Sequence, residues 1–182
     1  MRENEKKRQI FYAVEKTGTC QRICCGSQRG FTLHILDAYG TEIMRISRPF
    51  KCCGGLFLMS CCAGNAYETM IEAPPGRVIG NVTQRQSCFH FRMAIQDESG
   101  ADLFHTTSDC CTCPCVDVDF PIRTVANEEV GLIQKKWSGC CKETFTDADN
   151  FRIDFPREAS IKTKATIIGA AFLIDFAVFE NK

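Results

Sequence analysis

Fourteen of the 182 residues are cysteines, and they are the first candidates for chemistry. Five adjacent pairs occur, Cys24-Cys25, Cys52-Cys53, Cys61-Cys62, Cys110-Cys111 and Cys140-Cys141, with Cys113 and Cys115 close behind the fourth. The charged start, Met1 to Gln9, leads into no apolar h-region, so no secretory signal is read and a cytosolic location with reduced thiols is expected. Structural zinc sites usually use paired Cys-x2-to-4-Cys knuckles, whereas these cysteines are dominated by tight Cys-Cys, Cys-x-Cys and Cys-Thr-Cys-Pro-Cys arrangements. Cysteine clusters beside apolar residues also suit thioester acylation of a membrane-facing loop. His34, His90 and His105 sit on strand patterns, with no nucleophile elbow and no His-x-x-x-His spacing. Gly54-Gly55 is followed by no Gly-Lys-Ser/Thr and is not a phosphate loop. No set of residues for covalent catalysis emerges, and the chain is read as a non-enzyme.

The elements that would position these residues come from patterning. A chain of 182 residues fits one domain, and 22 basic against 22 acidic side chains give no global footprint for nucleic acid. The longest apolar run, Ala165 to Phe179, is broken only by Asp175. As a helix it would reach about 22 Å, short of the roughly 30 Å of bilayer hydrocarbon. Asp175 would add about 2.5 to 3.5 kcal/mol at the centre of a spanning helix. The run is therefore expected as a buried helix over about 165–179, with Ile167, Phe172, Leu173, Asp175 and Phe176 as its core or membrane residues.

From residue 9 to 164 the pattern has period two, which predicts antiparallel strands, about eleven of them. Phe31, Leu33 and Ile35 alternate with polar residues, then Asp37-Ala38-Tyr39-Gly40 turns the chain into Glu42 to Ile46. Sixty residues later Phe91, Met93 and Ile95 repeat the pattern, and Asp97-Glu98-Ser99-Gly100 turns into Asp102 to His105. A third hairpin is expected from Phe151, Ile153 and Phe155, through Pro156-Arg157-Glu158, back along Ile161, Thr163 and Ala165. So many one-faced strands are best accommodated by closure into a barrel, because closure removes exposed edges. A central helix would fill it, with Gly169, Ala170 and Ala171 allowing close approach to the wall. The alternative is a β-sandwich with a C-terminal membrane anchor.

The segment Phe145-Thr146-Asp147-Ala148-Asp149-Asn150-Phe151, with Phe155-Pro156, Ile168-Gly169-Ala170 and Phe172-Leu173-Ile174-Asp175-Phe176, resembles the C-terminal signature of the phospholipid scramblases. Cys24-Cys25-Gly26, Phe31-Thr32-Leu33, Arg48-Pro49, Ala73-Pro74-Pro75-Gly76 and Val116-Asp117-Val118-Asp119-Phe120 also match in order and spacing. The resemblance covers about Phe11 to Phe179. It implies a mainly β, tubby-like fold, a closed antiparallel barrel around the hydrophobic C-terminal helix. Residues 1–8 would be a charged lead and 9–182 the domain. It also implies calcium-stimulated, bidirectional, non-selective movement of phospholipids between leaflets. Expected with that activity are protein partners, palmitoyl-dependent attachment to the cytoplasmic face of the plasma membrane and, in some members, nuclear entry. The competing class is a non-catalytic tubby-like module that binds lipids or proteins in signalling or transcription.

Four departures from the family pattern qualify these implications. The family domain usually has strands before the point where this chain starts, so a barrel lacking N-terminal strands or a short form is expected, with part of the helix uncovered. The acylation segment reads Cys52-Cys53-Gly54-Gly55-Leu56-Phe57-Leu58-Met59-Ser60-Cys61-Cys62, which keeps the cysteine ends but has an apolar middle. Palmitate is expected on Cys52, Cys53, Cys61 or Cys62, against ordinary thiols in a loop. The Ca2+ loop would run from Asp147 to Glu158, with Asp147, Asp149 and Glu158 as carboxylate ligands and the Ile153 carbonyl. Phe151 and Arg152 stand where an EF-hand needs a ligand and a glycine, so the site would be weak and irregular. The basic import segment, Gly131 to Gly139, keeps Lys135, Lys136 and Trp137 but has Leu132 where a lysine is expected.

Overall fold

The computed structural model describes residues 10–16, 18, 29–51, 66–87, 90–109, 116–137 and 150–179. Among the described residues, ten strands precede one helix: β1 Tyr12–Lys16, β2 Phe31–Leu36, β3 Glu42–Arg48, β4 Glu68–Glu72, β5 Val78–Arg85, β6 His90–Asp97, β7 Asp102–Asp109, β8 Val118–Thr124, β9 Glu129–Lys136 and β10 Asn150–Asp154. Each pairs antiparallel with the next, giving one meander in sequence order. The helix α1, Ile161–Ile174, follows and continues as a π-helical segment, Asp175–Phe179.

The short turns lie at one end of the sheet, and their chemistry is written locally. Asp37 Oδ1 accepts from the Tyr39 and Thr41 amides, and Gly40 takes a φ of 81°. Asp97 Oδ1 accepts from the Ser99 and Ala101 amides, and Gly100 takes 84°. A carboxylate that caps its own turn and a glycine in the left-handed region are what such loops require. The register shifts fall at Ile35/Leu36 and at Ile95/Gln96, so even the irregularity repeats at sixty residues.

The expected third hairpin is not formed. Pro156 to Ser160 turns the chain into α1, and Ile161, Thr163 and Ala165 lie in its first turns. Ser160 caps the helix, its hydroxyl accepting from the Thr163 amide at 3.1 Å. As the first residue of the helix Ile161 is 88% exposed, whereas Thr163 and Ala165 are partly buried.

The helix packs on β4, β5 and β6 and contributes Ile167, Leu173 and Ile174 to the core, all fully buried. They meet Ile46, Ile71, Val82, Met93, Ile95, Phe120, Ile122 and Ile133 from the inner faces of the strands. Gly169 approaches Ile71, and Gly80 of β5 lies against Thr166. This close approach of the Gly169-Ala170-Ala171 side matches the expectation. At the C-terminal end the contacts reach both ends of the sheet. Phe176 stacks on Phe31 of β2 at 4.1 Å, and Phe179 meets Phe120 of β8 and Phe151 of β10 edge-on at about 6 Å.

The closed barrel, however, is not formed. The pairing runs from β1 to β10 and stops, with no ladder between the two end strands. The sheet curls around α1, and side-chain packing, not hydrogen bonding, brings its ends to the helix. A sandwich is not formed either, since all ten strands share one sheet. No helix among the described residues is long and apolar enough to cross a membrane.

Candidate functional site at one end of the sheet

A meander places alternate connections at opposite ends. The turns β2–β3, β4–β5, β6–β7, β8–β9 and the β10–α1 turn lie at the end where α1 begins. The connections β1–β2, β3–β4, β5–β6, β7–β8 and β9–β10 leave from the other, where α1 ends. The interior differs sharply between the two. Arg29, Arg48, Thr69, Gln84, Ser108 and Lys135 are buried at the second end, with Thr106 one step further in. Among the described residues, Thr166 is the one other buried polar side chain. The first end is lined by Leu33, Ile35, Met44, Ile71, Ile95 and Ile122.

Three cations define this polar end, and each lies over aromatic rings. Arg48 Cζ is 4.7 Å from the centroids of both Phe31 and Tyr67, and its Nη2 donates to the Arg29 carbonyl at 2.7 Å. Arg29 lies 5.2 Å over Phe176 and pairs with Glu15 at 3.2 Å. Lys135 Nζ is 3.8 Å from the Phe179 centroid. Desolvated cations held by ring faces interact more strongly than exposed ones, and the carbonyl end of α1 adds a favourable field. The Tyr67 amide donates to Gln84 Oε1, which fixes that glutamine inward. The helix tail is thereby clamped between two cation–aromatic groups.

The predicted residues fall around this end unequally. Ile167 and Leu173 are fully buried, Phe176 nearly so, and Phe172 and Asp175 half-buried. Ala165, Ile168 and Phe172 form a stripe at helical spacing that the sheet covers only in part, continued by exposed Ile161. Cys52, Cys53, Cys61, Cys62, Asp147 and Asp149 lie outside the described residues. In sequence, all fourteen cysteines fall within the five connections of the polar end, and Asp147 and Asp149 fall within β9–β10. Glu158, in contrast, is exposed in the turn at the opposite end. Asn150 to Asp154 stand between as extended strand, about 13 Å of it, so Glu158 is set well apart from the attachment of the Asp147 segment.

The import segment is occupied in the fold. Lys135 is buried on Phe179, while Lys136 Nζ and the Trp137 amide bond to Asp117 at 2.7 and 2.8 Å. The Lys136 and Trp137 bonds hold the Asp117 carboxyl below its ordinary range, the lysine contact being the larger cause. Among the described residues no three histidine, cysteine or carboxylate side chains gather as a metal site.

A protein-family model described as Scramblase matches residues 2–181. The chain belongs to the phospholipid scramblase family. Among curated proteins it is similar to Phospholipid scramblase 1 of Mus musculus, with 42% identity over 98% of this chain and 53% of that protein. Phospholipid scramblase 2 of Bos taurus is 41% identical over 97% of this chain and 59% of that protein. Phospholipid scramblase family member 5 of Homo sapiens is 38% identical over 98% and 65%. This scramblase-family chain thus spans a little over half the length of the first two of these relatives. No solved structure matches it.

The polar end was not foreseen. Arg29, Arg48, Gln84 and Lys135 are far apart in sequence and sit at strand ends, where polar residues ordinarily face water. The signal available was parity: Arg48, Gln84 and Lys135 share a face with core residues of their own strands, as Arg48 does with Met44 and Ile46, and Arg29 lies two residues before Phe31 of β2.

Proposed function

We propose that this chain moves phospholipids between bilayer leaflets, in both directions and without headgroup selectivity, stimulated by calcium. The relatives' name supports lipid scrambling as such. The observation that carries the mechanism is the divided interior, an apolar helix that runs into a buried, cation-lined end within a sheet that hydrogen bonds do not close. A headgroup crossing hydrocarbon needs a polar path, and a helix sealed in a closed barrel would supply none. Here the partly covered stripe of Ala165, Ile168 and Phe172 offers a surface to acyl chains, while Arg29, Arg48 and Lys135 offer charge to phosphate.

In this reading the polar end faces the cytoplasmic leaflet of the plasma membrane. Palmitate on two of Cys52, Cys53, Cys61 and Cys62 would hold it there, since one acyl chain gives only marginal attachment. Exposed Phe50, Val116 and Trp137 flank the cysteine-bearing connections and suit the interface. Asp147 and Asp149, which in sequence fall in the β9–β10 connection, are the proposed calcium contacts, with Glu158 joining only if the β10–α1 segment rearranges. Nuclear entry through Lys135 and Lys136 would likewise need the segment to leave its place in the sheet.

The test is dithionite quenching of fluorescent phospholipid in vesicles containing the purified chain, with and without calcium, beside an Asp147→Ala, Asp149→Ala variant. Calcium-dependent loss of inner-leaflet signal, absent in the variant, is expected. A second reading, a lipid- or protein-binding module without flip, is favoured by the packing of α1 inside its own sheet. That reading requires binding to vesicles with no signal loss beyond that of empty ones.

A further inference from the structure

The outer face of the sheet carries a pocket that the proposed scrambling does not use. Its volume is about 320 Å³, and its lining includes Arg85, Arg92, Ala94, Asp102 and His105. Strand register explains how it forms. Arg85 of β5 lies directly opposite Arg92 of β6, and Ala94 lies opposite His105 of β7. Ala94 points outward yet is only 1% exposed, so its methyl is a floor beneath longer neighbours.

Two arginines directly opposite one another repel, a local cost that a sheet normally avoids. One is compensated: Arg85 Nη2 donates to Asp102 Oδ1 at 2.7 Å, where Gln96 Nε2 also donates at 2.8 Å. Arg92 has no ion-pair or hydrogen-bond partner among the described residues and stands exposed at the pocket. His105 is steadied by a 3.3 Å contact between Nε2 and Asn127 Oδ1. The pocket therefore offers an unpaired guanidinium for an anion. It also offers a carboxylate whose Oδ2 is left over after Oδ1 has taken two donors.

We infer that this pocket binds a phosphoethanolamine group, its phosphate on Arg92 and Arg85 and its primary ammonium on Asp102 Oδ2. A guanidinium meets phosphate through paired N–H donors, and a carboxylate meets an ammonium through a charged hydrogen bond. A trimethylated ammonium cannot donate to Asp102. The inference deepens the phospholipid reading by naming a headgroup for a site on the wall. It can be tested without a bilayer, so failure of scrambling and failure of this site are distinguishable.

The protein is titrated calorimetrically with glycerophosphoethanolamine, glycerophosphocholine and inorganic phosphate. Glycerophosphoethanolamine is expected to bind at least about tenfold more tightly than the other two, as one charged hydrogen bond implies. Arg92→Gln and Asp102→Asn should each weaken it by about tenfold, with the unfolding midpoint retained. The Asp102 variant decides the chemistry, because removing a carboxylate strengthens binding at a simple anion site and weakens it at a zwitterion site. Tighter binding in Asp102→Asn, equal binding of inorganic phosphate, or indifference to Arg92→Gln overturns the assignment. Phosphatidylcholine vesicles with and without phosphatidylethanolamine then identify the source. A response to the lipid assigns the membrane headgroup, and a response confined to the soluble compound assigns a free phosphoethanolamine ligand.

Discussion

Gly169 of α1 lies so close to Ile71 of β4 that a Cβ on the glycine would stand 2.6 Å from Ile71 Cγ1 and 3.0 Å from Cδ1. Ile71 is fully buried, and Cγ1 is not the free tip of a flexible chain. A methyl there must push the helix off the sheet or force Ile71 from its rotamer. Gly169→Ala would gain about 1 kcal/mol of helix propensity and lose about 1 to 3 kcal/mol to overpacking. Net destabilisation is expected in urea denaturation, and Ile71→Val in the same chain should relieve part of it. Equal or greater stability of the single variant would show that the approach is looser than described.

Ser160 decides where the helix starts. Its hydroxyl accepts from the Thr163 amide, one of the first-turn donors with no partner inside the helix. Ser160→Ala should cost about 1 kcal/mol and Ser160→Gly only a few tenths, read as shifts in the denaturation midpoint. A cost that is the same for alanine and glycine would mean that the cap contributes nothing beyond the turn itself.

Glu42 provides a pH signature on the outer face. Hydrogen bonds from Arg45 at 2.9 and 3.1 Å, then a 2.7 Å contact with His34, lower its carboxyl from 4.5 to about 2, with burial acting in the opposite sense. A folded-state value below the unfolded one means stability that is present above pH 4.5 and is lost as pH falls toward 2. The difference in unfolding free energy between the native chain and Glu42→Gln should therefore be widest above pH 4.5 and shrink between 4.5 and 2. A pH-independent difference would remove Glu42 from the account.

What could be read from sequence was what is encoded within one turn or one strand. Asp37 with Gly40 and Asp97 with Gly100 carry their turn geometry in their own side chains and backbone preferences, so both hairpins were legible. Ile161, Thr163 and Ala165 were misread because three alternating residues fit period two and the start of a period of 3.6 alike; Ser160, a capping residue just before them, was the deciding sign. Closure was wrongly expected because whether the two distant edges β1 and β10 pair leaves no local mark, and no ladder joins them. The polar end was hidden for the same reason, as Arg29, Arg48, Gln84 and Lys135 become one group only when the sheet curls.

Asp175 separates two accounts of the helix. It is half-buried where α1 passes into the π-helical segment, beside Phe176 and its clamp. If scrambling requires the helix to enter the bilayer, Asp175 opposes entry by about 3 kcal/mol yet supplies the polar break that a headgroup follows. Asp175→Leu should then partition onto vesicles roughly a hundredfold more strongly while its flip rate falls. Damage to the fold would expose the buried apolar helix and give the same pair of signs, so the unfolding midpoint must be retained for the result to count. A variant that binds vesicles and scrambles like the native chain would leave the helix as core alone and place the headgroup path elsewhere.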